Sequence, residues 1–395
     1  MRGLFAIMGT ALCLAAGTQA MAGEIKVGEI NSYSALPAFT DPYKKGWQLA
    51  LDEVNAAGGI NGDKLVIISK DDGGKPGDAL TAANELVAKE GVVMISGSFF
   101  SNVGMAVADF AKQKKVFYLA GEPLTDAMIW SKGNDYTFRL RPPNYVQAAM
   151  LAQEAAKLPA KRWATIAPNY EYGQSAVAVF KELLQKARPD VEFVGEQWPP
   201  QGKIDAGSVA QAIEAAKPDA ILNVEFGADL VKLVREGTTR DLFKGRSVVS
   251  FLTGEPEYLD PLKADTPEGW IVTGYPWYSV DTPAHKAFLD AYQKRYNDYP
   301  RLGSVVGYAL VKSMAAILTK AKSTDTDALI AAAKGISVDT PFGPITYRAA
   351  DHQSTLGAFI GKTALKDGKG VMVDFQYHNG NDFLPSEADA AKLRP

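Results

Sequence analysis

From residue 25 onward, short apolar runs alternate with stretches whose hydrophobic residues fall at helical spacing. The pattern predicts a strand over 25–30, a helix over 41–57, a strand over 64–69, a helix over 76–89 and a strand over 92–95. From Ser101 the period is helical again, with Val103, Val107 and Phe110 on one face, and 116–120 reads as the next strand. A second series follows, with helices over 144–157, 171–187, 206–216 and 228–236 and strands over 162–167, 191–196, 220–225, 247–252 and 269–274. Three helices, 283–296, 305–322 and 325–334, precede strand-like runs at 356–365 and 371–377 with turns at Asp367-Gly368 and Asn379-Gly380. Strands that alternate with helices in this way imply an α/β chain built on mainly parallel, doubly wound sheets. No tandem repeat or low-complexity tract interrupts them.

Two short segments break the alternation. Residues 136–141 lead into Pro142-Pro143-Asn144, and 269–274 runs into Tyr275-Pro276-Trp277-Tyr278. Prolines there stop helix formation and fix direction, so both read as crossovers between two halves. About 370 residues beyond the leader also exceed what one hydrophobic core normally supports.

The stretch 91–110, GVVMISGSFFSNVGMAVADF, is a strand, a tight serine-bearing loop and a helix start. A helix start offers unpaired N–H groups and a partial positive charge, worth about 0.3–2 kcal/mol to a carboxylate. Ser98, Ser101 and Asn102 can add hydrogen bonds; alternatively Ser101 or Asn102 simply caps the helix.

Composition narrows the setting. Met1-Arg2-Gly3, an apolar core over 4–16 and the small residues of Ala20-Met21-Ala22 have the form of a cleavable secretory leader over 1–22. Its core is too short to span a bilayer permanently. The one cysteine, Cys13, lies inside it, and Thr10-Ala11-Leu12 makes a poor lipoprotein box, so the mature chain is expected to lack thiols, disulfides and cysteine metal sites. No later stretch approaches 18 uninterrupted apolar residues, so a soluble periplasmic protein is expected. The chain carries 42 basic and 45 acidic residues, net −3, and loss of Arg2 leaves 41 against 45. That balance lacks the basic excess that a nucleic-acid partner requires.

Recognisable catalytic machinery is missing. His285, His352 and His378 are far apart in sequence and read as surface residues. There is no Gly-x-Ser-x-Gly elbow and no His-Glu-x-x-His pair. Gly361-Lys362-Thr363 lacks the upstream glycine of a phosphate loop, where Leu356 stands, and no Gly-x-Gly-x-x-Gly follows the first strand. Asp71-Asp72 lacks the spacing of an oxygen cage and reads as a strand end or turn. Neither a metal nor a cofactor is expected.

The run Glu53-Val-Asn-Ala-Ala-Gly-Gly-Ile-Asn-Gly62, followed by Lys64-Leu65 and Asp71-Asp72, resembles the leucine/isoleucine/valine-binding class of periplasmic solute-binding proteins that feed ABC importers. Thr137-Phe138-Arg139 and Tyr172-Gly173 add to the resemblance, which covers nearly the whole mature chain. It implies the type I periplasmic binding fold: two doubly wound lobes joined by three crossover strands, the third near 349–357. The lobes are then 24–141 with 276–352 and 142–275 with 353–395.

Site residues follow from the same resemblance. Ser101 matches the serine whose hydroxyl binds the solute carboxylate, with Ser98 and Phe99 beside it. Gly121 to Thr125 matches the adjoining carboxylate loop, although the usual alanine and threonine run is replaced, leaving Leu124 or Thr125 as the contact. Tyr172 and Phe226 reach from the second lobe, Glu255 falls near the acid that pairs with an α-ammonium, and Phe39 lines the first loop. Each has a plainer alternative: the phenylalanines as core, Glu255 as an acid at a helix start. Glu122 is an acid beside a carboxylate site, which suits a ligand that also carries a cation.

A non-catalytic, monomeric extracytoplasmic receptor is therefore expected, taking a branched-chain or other hydrophobic amino acid and delivering it to an inner-membrane permease. Trp198 and Trp277 are further candidates for the apolar wall. Aromatic carboxylic acids and small amides are the competing solutes. A secreted α/β hydrolase using Glu122 and Glu255, and a sensor whose closed lobes engage a signalling receptor, are the competing roles.

Overall fold

The structure, a computed structural model, describes residues 23–395; the leader expectation for 1–22 lies outside the described residues. The first sheet has the order β2-β1-β3-β4-β5 and is parallel throughout. Its elements run β1 (Glu24–Asn31), α1 (Pro37–Ala56), β2 (Lys64–Asp71), α2 (Pro76–Glu85), β3 (Met94–Gly97), α3 (Ser101–Lys114), β4 (Phe117–Ala120) and β5 (Thr137–Arg139). α2 continues into one π-helical turn, Leu86–Glu90.

The chain then builds α4 (Asn144–Ala155), β6 (Arg162–Ile166), α5 (Glu171–Ala187), β7 (Glu192–Gln197), α6 (Ala206–Ala216) and β8 (Ala220–Asn223). It continues with α7 (Gly227–Thr239), β9 (Ser247–Gly254), α8 (Pro256–Leu262) and β10 (Ile271–Gly274). After the second crossover come α9 (Pro283–Tyr296), α10 (Leu302–Ala321), α11 (Thr326–Ala333) and the hairpin β11 (Ser337–Thr340) with β12 (Gly343–Thr346). β13 (Ala358–Lys366), β14 (Lys369–His378) and α12 (Glu387–Lys392) complete it. The second sheet has the order β14-β13-β10-β9-β8-β6-β7, parallel except where β13 pairs antiparallel with β10 and β14. The α/β architecture of two parallel-sheet lobes is thus as the alternation implied.

α10 packs along α1 on the first sheet, so the return through α9 to α11 belongs beside the first series. Three glycines let the two helices touch. A Cβ on Gly46 would lie 2.0 Å from the Ser304 carbonyl oxygen, one on Gly307 2.2 Å from that of Tyr43, and one on Gly303 2.9 Å from that of Phe39. α10 is apolar and long enough to cross a membrane, and most of it is buried inside the protein.

The third crossing runs beside the first. Gln353 bridges Arg139, Ser354 bridges Tyr347, and Ser354 N–H donates to Arg139 O at 2.9 Å. β13 and β14 then join the second sheet, but the tail beyond His378 returns toward the first series. Arg394 donates to Ile129 O and Asn134 O, and Pro385 O accepts from Arg348. The tail of the segment 353–395, expected in the second lobe, thus also contacts residues of the first series.

α5, α6 and α9 occupy the expected residues, while α1 begins four residues earlier because Pro37 suits a first helical turn, where no N–H is needed. α8 and the β11–β12 hairpin were not expected. α8 has seven residues, two of them proline, and so shows no helical period.

Candidate functional site

Strand ends and helix starts of both sheets meet around one small, tightly lined pocket between the lobes. Phe39 opens α1, Phe99 and Ser101 open α3, and Glu122 and Leu124 follow β4. Tyr170 and Tyr172 stand at the start of α5, Phe226 before α7, and Leu252 and Tyr258 on β9 and α8. Arg141, on the first crossover, completes the lining. This is the carboxyl end of parallel strands, where such sheets hold ligands. A larger, open depression around Phe243 and Trp270 sits at the opposite end, beside the first residues of β9 and β10.

The backbone that aims α3 at the cavity is left-handed at two successive residues, Gly97 (φ 101°) and Ser98 (φ 66°). Only glycine fits the first, since a Cβ there would lie 2.4 Å from Ile30 O. Leu252, on the facing lobe, is also left-handed (φ 61°), a conformation that side chains other than glycine adopt where surrounding structure enforces it.

α3 starts from Phe100 and has no side-chain cap, so neither Ser101 nor Asn102 plays the capping part. Instead the Ser101 hydroxyl accepts the Leu124 and Thr125 N–H groups, both at 3.2 Å. α5 and α7, which start at the cavity from Tyr170 and Phe226, also lack side-chain caps. Three uncapped helix starts make the region favourable for negative charge.

Aromatic rings from the two lobes close the space. The Phe39 ring meets Phe99, Phe226 and Tyr258 edge-on, with centroids 5.6, 6.3 and 5.4 Å away. Tyr172 meets Phe226 at 6.0 Å. Phe100 of the first lobe meets Tyr170 of the second at 6.1 Å.

Arg141 stands between two acids, with Nη2 2.5 Å from Glu255 Oε1 and Nη1 3.8 Å from Glu122 Oε1. All three side chains are buried. Burial pushes Glu122 and Glu255 up to about 8, against the lowering pull of Arg141. Glu122 Oε2 and the Tyr172 hydroxyl are buried without a protein partner, so each has hydrogen-bonding capacity to spend on a solute.

Of the residues anticipated from sequence, Phe39, Phe99, Ser101, Glu122, Leu124, Tyr172 and Phe226 are brought together at the cavity. Ser98 is buried behind it with an unpartnered hydroxyl. Thr125 is turned away and donates to Glu171 Oε1 at 2.5 Å, linking the lobes. Asn102 is a correction: the second residue of α3 points outward and is exposed. Glu255 is held by Arg141 and lines a smaller chamber on the far side of that arginine. Trp198 donates to Glu196 and Trp277 stacks on Tyr299, so neither forms the wall. Sequence reasoning missed Arg141, Tyr170, Leu252 and Tyr258.

The histidines also need correction. His285 is buried with Nε2 2.6 Å from the Tyr275 hydroxyl, and His352 is buried and stacked on Phe138 at 3.9 Å. Burial pushes both down to about 4, and His378 is half-buried in β14. The Asp71-Asp72 pair takes the expected turn role: Asp71 accepts Gly73 N–H, and Asp72 accepts Gly74 N–H and the Ser32 hydroxyl. Among the described residues no group of three or more histidine, cysteine or acidic side chains is placed to hold a metal ion.

The family model described as "Periplasmic binding protein" matches residues 24–369. The chain belongs to this family. It is a family of solute-binding receptors, which agrees with the two-lobed cavity. Leu/Ile/Val-binding protein homolog 7 of Brucella abortus is 25% identical over 343 residues, covering 82% of this chain and 84% of the relative. A solute-binding protein of an ABC transporter from Rhodopseudomonas palustris, solved with 3,4-dihydroxybenzoic acid, superposes with a TM-score of 0.80 at 24% identity, covering 90% of this chain and 98% of that one. A branched-chain amino acid transporter substrate-binding protein of Streptococcus pneumoniae, solved with isoleucine, gives a TM-score of 0.78 at 22% identity, covering 90% and 99%.

Proposed function

We propose that the protein is the periplasmic solute receptor of an ABC importer and takes a small carboxylic acid with an apolar body. Hydrophobic amino acids and benzoate-type acids both belong to that class. The supporting observation is a buried cavity walled by aromatic rings from both lobes, with the uncapped start of α3, Ser101 and Arg141 at one side. An acid head group meets the helix amides and the guanidinium, and its apolar body lies among Phe39, Phe99, Tyr172, Phe226 and Tyr258. Charged hydrogen bonds of about 1.5–3 kcal/mol each, with burial at about 25 cal/mol per Å2, suffice for micromolar binding.

Residues 24–141 with 276–352 form the first lobe in this proposal, and 142–275 with 353–379 the second, a division supported by the two sheets and the three crossings. A solute that bridges them stabilises the closed arrangement, which is the form offered to a membrane permease.

An amino acid finds a place for its ammonium at Glu122 Oε2, which has no protein partner. One observation favours an aromatic acid without an ammonium: Glu255, the acid anticipated for that group, is already taken by Arg141. Thermal shift and calorimetry with leucine, phenylalanine, benzoate and 4-hydroxybenzoate separate the two. Stabilisation by the benzoates alone selects the aromatic acid, stabilisation by leucine selects the amino acid, and no response to either set removes the solute class.

A further inference from the structure

α8 is short, yet it reaches the first lobe at several points, most of them outside the cavity. Tyr258 lines the cavity and touches Phe39, whereas Glu257 and Asp260 point to the segment that opens α10. The Glu257 carboxylate accepts Gly303 N–H at 2.8 Å and Leu302 N–H at 3.2 Å. These are the first residues of α10, so an acid of the second lobe caps a helix of the first. Asp260 accepts the Tyr299 hydroxyl at 2.8 Å and pairs with Arg301 Nε at 3.3 Å. Tyr299 is itself held flat on Trp277, centroids 4.6 Å apart, with the Arg301 guanidinium over the Tyr299 ring 4.7 Å from its centroid.

These contacts join lobes that are covalently linked only through the crossovers. Glu257 is buried, which pushes its carboxyl up against the lowering pull of the Gly303 and Leu302 amides.

We propose that α8 is a closure latch and that Glu257 is a positioning residue, setting solute affinity through the closed population rather than by contact with solute. The apparent dissociation constant of a receptor scales inversely with the fraction already competent to bind. A latch of this kind raises that fraction before solute arrives. The inference rests on the two-lobe reading and not on which acid the cavity takes.

The test uses ligand-free protein, so failure to identify a solute leaves it intact. Spin labels are placed on the exposed residues Lys112 of α3 and Lys186 of α5 through Lys112→Cys and Lys186→Cys, since the chain's one cysteine, Cys13, lies in the leader. Inter-lobe distance distributions are then compared for this labelled protein and the same protein carrying Glu257→Gln. The open population is expected to rise at least threefold. Asp260→Asn, which leaves the helix cap in place, should raise it less and carries the test if the first variant fails to fold. Unchanged distributions in the folded variants overturn the latch, including the case where thermal stability falls while the lobes stay together.

Discussion

Arg141 donates to Glu255 of the second lobe across 2.5 Å from a crossover that belongs to neither sheet, and it faces Glu122 of the first at 3.8 Å. One buried cation thereby serves an acid from each half of the molecule. Removing one partner of such a group leaves uncompensated buried charge, which costs about 3–5 kcal/mol. Arg141→Met should therefore lower the urea-unfolding free energy by up to about that amount above pH 8, where Glu122 and Glu255 are ionised. Combining it with Glu255→Met should recover much of the loss, because an apolar pair of similar volume needs no ionic compensation. If the double variant is no more stable than the single one, the pair does not carry the electrostatic role assigned to it.

The same burial sets a pH dependence. Glu122 and Glu255 stand at about 8, against 4.5 for an unperturbed glutamate, so the native protein holds protons that the unfolded chain has released. The stability this contributes is complete below about 4.5 and is lost as pH rises toward 8. Unfolding free energy should fall between pH 6 and pH 8.5, and Glu122→Gln should flatten that slope. Urea titrations at three pH values measure it, and a slope unaltered by Glu122→Gln would assign the titration to other buried acids such as Glu29 or Glu225, which burial also pushes up to about 8.

Much of the fold could be read along the chain because its elements are periodic and well separated. α5 and α9 begin and end where the spacing places them, and the Pro142-Pro143 and Tyr275-Pro276 breaks do fall between the sheets. α8 escaped because Pro256 and Pro261 erase a helical period in seven residues. Most cavity residues were also legible, since they sit where strands end and helices start. Arg141 was not, although a signal existed. Arg139 and Arg141 are two apart in extended chain and share a face, and Glu122 read as an acid with no cation near it. The missing cation was sought in the ligand, whereas the protein supplies it. Which face of a crossover turns inward depends on packing against Gln353 and Thr125, which accept from Arg139, and sequence spacing does not encode that.

The contact between α1 and α10 should tolerate no added volume. Gly307→Ala places a Cβ 2.2 Å from the Tyr43 carbonyl oxygen, and Gly46→Ala places one 2.0 Å from that of Ser304. Both obstacles are backbone, so the helices must separate. Overpacking of this kind costs about 1–3 kcal/mol or more. Because Tyr43 and Phe39 share α1, the separation should also disturb the aromatic wall. Loss of stability in denaturant with solute affinity intact would show that α1 moves without carrying Phe39.

Ser101 connects the cavity to the loop after β4. Its hydroxyl accepts two buried N–H groups, Leu124 and Thr125, and in the proposed receptor it also donates to the solute carboxylate. Ser101→Ala leaves both amides unsatisfied, and an unmet buried donor costs about 1–3 kcal/mol. The variant should unfold at lower urea and bind its acid about tenfold more weakly. Ser101→Thr, which keeps the hydroxyl, should restore the stability. Calorimetry on the three proteins separates the effects: weaker binding with unchanged stability would mean that Leu124 and Thr125 find other partners, and unchanged binding would remove Ser101 from the carboxylate site.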